Sequence, residues 1–96
     1  MGSIANPILI ELPKQEINIY PSPFHEELKV AINSKEKGEA KVVIYNMVTS
    51  QVVYKHEFNI NTGNNNLVLF PNVPTGAYLI RVEIGDKVVL NKILKD

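Results

Sequence analysis

The residues that could carry out acid, base or metal chemistry in this chain are few and lie far apart. His25 is followed by Glu26 and Glu27, the one place where a histidine adjoins carboxylates, and the other histidine, His56, comes much later. A zinc site needs several converging ligands, and a helix-borne site places a second histidine four residues after the first. The sequence around His25 offers neither arrangement. We therefore expect a solvated polar turn at His25 and an ordinary strand residue at His56.

The sequence also lacks the residues and spacings that other kinds of catalytic site require. The two aspartates, Asp86 and Asp96, lie in a predicted turn and at the last residue, where no scaffold supports a Ser-His-Asp triad. The glutamates are scattered rather than paired, the five glycines stand singly, and there is no cysteine to act as a nucleophile. We therefore expect a protein that is not an enzyme and that has no catalytic, metal-binding or cofactor-binding residues.

The composition is that of one small globular domain. Its 96 residues, of which 45% are hydrophobic and 21% charged, are enough for one modest core. Ten basic residues balance ten acidic ones, which argues against nucleic acid or an anionic membrane as the main partner. No segment approaches the roughly 20 apolar residues of a membrane-spanning helix. The first residues do not resemble a secretory signal, so an exported form would carry its signal on a longer precursor.

The first 16 residues are expected to precede the folded unit. Met1-Gly2-Ser3 resembles the remnant of an expression tag, and the following segment carries Pro7 and Pro13 around an apolar run at residues 8–12. Proline is confined to the edges and ends of strands, so we interpret this segment as a linker with a short edge strand. The folded unit is expected to occupy residues 17–96. It begins with an extended run that ends in Tyr20-Pro21-Ser22-Pro23-Phe24, where the two prolines stiffen the chain and Phe24 anchors the turn to the core.

Short segments of alternating or β-branched residues, separated by turn signals, fill the rest of the chain. This pattern is typical of an all-β protein, and it predicts an immunoglobulin-like antiparallel β-sandwich of about seven strands. The segments that follow the opening run are predicted as strands at residues 27–33, 40–45, 51–58, 67–70, 77–84 and 87–94. Residues 34–39 are expected to form a surface turn and the asparagine-rich residues 59–66 a polar loop.

Two details of the later strands refine this prediction. Gly85-Asp86 separates the last two strands and is typical of a two-residue type II′ turn, in which glycine comes first. Tyr78 follows a glycine-containing turn at the start of a late strand, as does the tyrosine corner of immunoglobulin-like sandwiches. The alternative for Tyr78 is an ordinary core tyrosine, and the residues alone leave both open.

Five blocks of the sequence carry a family resemblance through their order and spacing. They are Ile19-Tyr20-Pro21-Ser22-Pro23-Phe24, Leu28-Lys29-Val30, Val42-Val43-Ile44-Tyr45-Asn46-Met47, Val73-Pro74-Thr75-Gly76-Ala77-Tyr78-Leu79-Ile80 and Lys92-Ile93-Leu94-Lys95. Together they resemble the type A C-terminal sorting domain of the type IX secretion system. The resemblance runs from about Ile17 to the last residue and departs from the family at two positions. Ser22 stands where the family has asparagine, and Thr49 stands where it has a glycine in a turn, so we expect a different turn there.

The resemblance implies a sorting signal joined to an N-terminal cargo domain in a precursor. Such a precursor crosses the periplasm, is recognised by the outer-membrane translocon, and is cut by a sortase as the cargo reaches the cell surface or the medium. The cut would fall in the linker at residues 4–16. The residues Lys92, Ile93, Leu94 and Lys95 would belong to the signal that the translocon reads, and Gly76 and Tyr78 would hold the fold that presents it.

An exposed edge strand is a physical reason for a signal at this end, because a partner can extend it through unpaired backbone groups. We expect residues 87–94 to form such an edge, although lysines there could serve only to block unwanted pairing. Pairing of two copies through edge strands stays open. The main alternative is an accessory sandwich that binds a glycan or another surface protein, since the chain has four tyrosines and three phenylalanines. A purely structural spacer is a third reading.

Overall fold

The structure is a computed structural model that describes residues 16–96, with side chains described from Ile17. The predicted short strand at residues 8–12 and the rest of the predicted linker up to residue 15 lie outside the described residues. Glu16 belongs to the first strand, so the predicted end of the linker at residue 16 is one residue too late. No helix in the described part has the length and apolar character that crossing a membrane requires. Seven strands account for most of it: β1 (Glu16–Tyr20), β2 (Leu28–Ser34), β3 (Gly38–Asn46), β4 (Val52–Ile60), β5 (Gly63–Leu69), β6 (Gly76–Ile84) and β7 (Lys87–Lys95).

The strands form two antiparallel sheets. One sheet has the order β1-β2-β5 and the other the order β4-β3-β6-β7. The chain changes sheet between β2 and β3, between β4 and β5, and between β5 and β6, which ties the two layers together. Connections between sheets of this kind are a feature of immunoglobulin-like sandwiches. The prediction of an all-β sandwich of about seven strands is confirmed.

Alternating side chains of both sheets meet in one core. Leu28, Val30 and Ile32 of β2 are at most 1% exposed, as their alternation in the sequence predicts. In the other sheet the inward residues of β3 are in register with those of β6, because Val42 faces Val82 and Ile44 faces Ile80. β3 lies between β4 and β6, and on its outer face Val43 is only 6% exposed between its register partners Lys55 and Arg81.

The predicted polar loop at residues 59–66 is wrong. β4 continues to Ile60 and β5 begins at Gly63, so only two residues separate the two strands. Asn65 points inward at this crossover and supplies hydrogen-bond partners for its backbone. The Nδ2 of Asn65 donates to the carbonyl oxygens of Asn61 (2.9 Å) and Gly63 (3.1 Å). Its Oδ1 accepts the Asn61 N–H at 2.9 Å. An asparagine can therefore occupy a strand when its side-chain amide bonds to nearby backbone groups. The general preference of asparagine for turns does not predict this arrangement.

The predicted surface turn at residues 34–39 also needs correction at both ends. Ser34 is the last residue of β2 and is only 3% exposed, and β3 already begins at Gly38. The Ser34 hydroxyl donates to the carbonyl oxygen of Glu36 at 2.7 Å. A buried hydroxyl needs such a partner, and here the short connection supplies it.

The turn between the last two strands agrees with its prediction. Ile84 is in register with Lys87, which leaves Gly85 and Asp86 as a two-residue connection. Gly85 has a φ of 57°, and Asp86 is not among the residues with positive φ. Positive φ at the first central residue alone is the mark of a type II′ turn.

The connection between β3 and β4 places the left-handed residue at Ser50 rather than at Thr49. Ser50 has a φ of 64°. The side-chain Oδ1 of Asn46 accepts the N–H groups of Val48 (2.8 Å) and Thr49 (3.0 Å), and the Ser50 N–H donates to the Asn46 carbonyl oxygen at 2.8 Å. The expectation of a different turn rested on the poor fit of threonine to positive φ. The chain avoids that conflict by shifting the strained position one residue.

Replacing Ser50 with glycine is expected to stabilise the protein by about 0.5–1 kcal/mol. Glycine adopts a φ of 64° without the steric cost that a Cβ imposes there, although it also raises the entropy of the unfolded chain. Urea denaturation of both proteins measures the difference. The control is Thr49→Gly, which removes an acceptor for the Gln51 N–H at 3.2 Å and should destabilise. Stabilisation by the Thr49 variant instead would contradict this assignment of the turn.

Candidate functional site at the C-terminal corner

The last strand ends against the double-proline turn. The Phe24 N–H donates to the carbonyl oxygen of Leu94 at 2.8 Å, and the Asp96 N–H donates to the carbonyl oxygen of Phe24 at 2.9 Å. The two bonds form a parallel bridge between Phe24 and Lys95. We call the region formed by Phe24, Gly76, Tyr78 and residues 92–96 the C-terminal corner. It joins the start of the folded unit to its end.

Phe24 fixes this corner to the core. Its side chain is 0% exposed, which confirms that the ring anchors the turn. Tyr20 is 44% exposed, and Pro21 and Pro23 are exposed as well. The peptide bonds before both prolines are cis. The motif therefore acts as a boundary in which one residue is buried and the others line the surface.

Tyr78 supports the corner from β6. Its ring is 2% exposed, and its hydroxyl donates to the carbonyl oxygen of Pro74, four residues upstream, at 2.6 Å. This is the bond that defines a tyrosine corner, so of the two readings left open by the sequence the corner is confirmed. Tyr78 is in register with Ile93 of β7, so the tyrosine and the C-terminal block share one inward row.

Tyr78→Phe is expected to lower the free energy of unfolding by about 1–2 kcal/mol. The variant keeps the buried ring but leaves the Pro74 carbonyl oxygen without its hydroxyl partner. Thermal and urea denaturation measure the loss. Tyr45→Phe is the matched control, because Tyr45 is half-buried on the outer face and should change stability by less than about 0.5 kcal/mol. Equal effects of the two substitutions would refute a special role of the Tyr78 hydroxyl.

Gly76 lies at the start of β6 with a φ of 159°, which residues with a Cβ rarely adopt. The space around it is free, because a Cβ there would lie 3.8 Å from Cε1 of Tyr78, an ordinary contact. Gly76 is in register with Lys95 across the sheet. The structure therefore puts Gly76 in the C-terminal corner, where the backbone conformation rather than a lack of space favours glycine.

The four residues of the C-terminal block are not equivalent. Ile93 is 1% exposed and belongs to the core, whereas its neighbour Leu94 is 41% exposed on the outer face. Lys92 is exposed, and Lys95 is half-buried with its Nζ near the Asp96 carbonyl oxygen at 3.2 Å. Alternation along the strand thus separates a structural residue from side chains that a partner can reach.

The histidines and carboxylates that could carry out acid, base or metal chemistry lie apart from one another. Among residues 16–96 no three histidine, aspartate or glutamate side chains are grouped as ligands for a metal ion. His25, Glu26 and Glu27 are exposed, and His56 packs edge-on against Phe58 with 4.6 Å between ring centroids. His25 and Glu26 line a shallow depression of about 250 Å³ that also includes Lys95 and Phe70. The polar turn therefore borders the C-terminal corner.

A family model described as "Secretion system C-terminal sorting domain" matches residues 18–96. The match extends over both sheets and the whole C-terminal corner. The chain belongs to this family of sorting domains. No curated protein matches the chain.

Membership of the family gives this sandwich its role. It is a C-terminal sorting signal for type IX secretion, which takes an attached cargo to the cell surface or the extracellular space. The sorting domain thus acts in a precursor that the type IX system handles.

The alternative of glycan binding is not favoured. Phe24 and Tyr78 are buried, and Tyr54 and Phe58 pack against the core, so these rings are not free platforms for a sugar. Partial burial raises the pKa of the Tyr54 hydroxyl above its ordinary value of 10.0. The aromatic content that prompted this alternative is mostly explained by the demands of a small core.

Sequence reasoning identified the members of the C-terminal corner but not all of their connections. It did not predict that the backbone of Phe24 bonds to Leu94 and Asp96, which are 70 or more residues away. It also treated residues 92–95 as one block, although the predicted alternation along the last strand could have separated Ile93 from its neighbours.

Proposed function

We propose that this sorting domain is a non-enzymatic signal whose C-terminal strand is read by the outer-membrane translocon while the cargo is in the periplasm. The observation that carries the proposal is the C-terminal corner, where exposed Lys92 and Leu94 flank the buried Ile93. A folded strand with a core residue between reachable side chains offers a partner a fixed surface. In this proposal the translocon contacts the exposed residues, and Tyr78 and Phe24 hold the strand in place.

A second part of the proposal concerns the cargo. Residues 4–15 precede β1 in the sequence. A sortase that cuts in this part of the predicted linker would release the sorting domain as the cargo is attached to the surface or set free. This order of events needs the sandwich to be folded and accessible before the cut. The sortase and the translocon are thus the proposed partners.

A reporter that is exported to the periplasm tests the proposal when the 96-residue chain is fused to its C-terminus. In a host with a type IX system the reporter should appear at the cell surface or in the medium. Deleting residues 92–96 is not a clean test, because the deletion also removes Ile93 from the core. Substitutions of exposed side chains keep the fold and ask only about recognition.

The sharper comparison uses two double variants on the two edges of the same sheet. Lys92→Ala with Leu94→Ala should leave the reporter in the periplasm. Val52→Ala with Lys55→Ala alters an apolar and a cationic residue on β4, where Val52 is 52% exposed, and should leave secretion unchanged. Retention of the unaltered fusion in the periplasm would contradict the sorting role. Equal secretion of both double variants would contradict recognition through the C-terminal block.

A further inference from the structure

We propose that the secretion machinery reads β7 as a strand template, by adding an extended segment of its own to the open edge along Val88, Leu90 and Lys92. This rests on the proposed function and states which part of the strand is bound and by which chemistry. It extends the contact from Lys92 toward the middle of β7. The inference comes from the direction of the backbone groups.

The hairpin sets which residues of β7 face outward. Ile84 and Lys87 flank the two-residue turn and are register partners, and such a pair is bonded through its backbone. Every second residue from Lys87 therefore pairs with β6, and those between direct their N–H and C=O groups away from it. The bond from the Phe24 N–H to the Leu94 carbonyl oxygen agrees with this phase, because Leu94 belongs to the outward set.

Some of these outward backbone groups have hydrogen-bond partners among the described residues and others do not. Phe24 occupies the Leu94 carbonyl oxygen and the Asp96 N–H. Among residues 16–96, no backbone group outside β7 bonds to the outward N–H and C=O groups of Val88, Leu90 or Lys92. The bridge to Phe24 thus shows that this edge accepts a parallel partner. Residues 16–96 leave about three rungs open beside the one that Phe24 fills.

The other edge of the same sheet is less suited to pairing. The register between β3 and β4 shifts between Ile44 and Tyr45, which leaves Val53 without a register partner and bends the edge. The central part of β4 also carries the consecutive polar residues Lys55, His56 and Glu57. β7 keeps an unbroken register of nine pairs with β6 and contains neither a bulge nor a proline. Long regular edges of this kind are templates for strand addition.

The side chains of the open edge define the partner. Val88 and Leu90 are 47% and 54% exposed, and Lys92 forms no ion pair among the described residues. Leu90 also borders a shallow depression of about 420 Å³ that it shares with Tyr45, Leu79 and Arg81 on the outer face. An extended segment with apolar residues opposite Val88 and Leu90 and a carboxylate near Lys92 fits this edge.

A second copy of the chain is a poorer occupant. β7 carries Lys87, Lys92 and Lys95 and no acidic residue. Pairing two copies of β7 would place six lysines and no carboxylate in one pair of strands, and like charges close together on a ladder are unfavourable. An acidic segment of another protein removes that repulsion.

Proline substitution separates backbone recognition from side-chain recognition. In Leu90→Pro and Val88→Pro the lost N–H points outward, so β6 keeps its bonds and the fold should persist, as proline is tolerated on edges. Leu90→Ala is the matched control because it shortens the same side chain and keeps the N–H. Each variant is fused as the whole chain to the exported reporter, and circular dichroism of the purified chain checks that it is folded.

We expect both proline variants to reduce the secreted reporter by about tenfold or more. Leu90→Ala, which keeps the N–H and loses only part of one apolar contact, should reduce it by about threefold or less. Normal secretion of folded proline variants would overturn the inference. The lysines of β7 would then be interpreted as residues that prevent unwanted strand pairing. Equal loss with Leu90→Ala would overturn it in favour of side-chain recognition. Sedimentation that shows a dimer of the parent chain and a monomer of Leu90→Pro would assign the edge to a second copy. Failure of the parent fusion to be secreted would instead reject the proposed function.

Discussion

Replacing Phe24 with alanine is expected to lower the free energy of unfolding by about 3–5 kcal/mol. The ring is 0% exposed and belongs to the single core cluster, so its removal costs both the transfer of the ring from water and the cavity that remains. The substitution also loosens the residue whose backbone holds Leu94 and Asp96. We therefore expect the C-terminal corner to open before the rest of the sandwich.

Urea denaturation measures the loss of stability, and amide hydrogen exchange at Asp96 reports on the corner. Phe70→Ala is the control of equal chemistry, because Phe70 is 67% exposed and its removal should change stability by less than about 0.5 kcal/mol. A loss below about 1 kcal/mol for Phe24→Ala would mean that the ring is not part of the core. The double-proline motif would then have to be reconsidered as a contact surface.

The second large effect is expected at Ile93. Ile93→Ala should destabilise the sorting domain by about 2–5 kcal/mol, since the side chain is 1% exposed and faces the same core as its register partner Tyr78. The neighbouring substitution Leu94→Ala should cost less than about 1 kcal/mol, because Leu94 is 41% exposed.

Thermal unfolding of the two single variants checks this contrast. In the secretion assay, Leu94→Ala should lose more secretion than Ile93→Ala for each kcal/mol of stability lost, because Leu94 lies on the face that a partner can reach. Equal destabilisation by both substitutions would contradict the orientation of β7. It would also weaken the division of the C-terminal block into structural and recognised residues.

The C-terminal corner depends on residues from distant parts of the chain. Phe24, Tyr78 and Ile93 are far apart in sequence and meet only in the folded sandwich. A peptide with the sequence of residues 87–96 would lack the β6 partner, the Phe24 bridge and the core that buries Ile93. Under the proposed function, such a peptide should therefore be a poorer signal than the folded domain.

Much of the fold follows from local patterns. The alternation of Leu28, Val30 and Ile32 predicts an inward row, and Gly85-Asp86 predicts the last hairpin, because both depend on residues next to one another. Local propensity failed at the asparagine-rich segment. There the tendency of asparagine to form turns is outweighed by strand pairing of β5 with β2 and by the bonds of Asn65 across the crossover.

The sequence by itself determined the class of fold, the inward face of several strands and the burial of Phe24, whereas for Tyr78 it left a tyrosine corner and an ordinary core tyrosine both open. It also carried the blocks that mark the chain as a sorting domain. The edge at residues 87–94 was expected, and the position of β7 in its sheet agrees with it. Only the tertiary structure decided the other sheet edges, the bond from the Tyr78 hydroxyl to Pro74 and the closure of the end of β7 by Phe24. It also showed that no backbone group of residues 16–96 outside β7 bonds to the outward groups of Val88, Leu90 and Lys92. The physical reason is that side-chain alternation is a local property, whereas the partner of a backbone N–H or C=O group depends on strands brought together from distant parts of the chain.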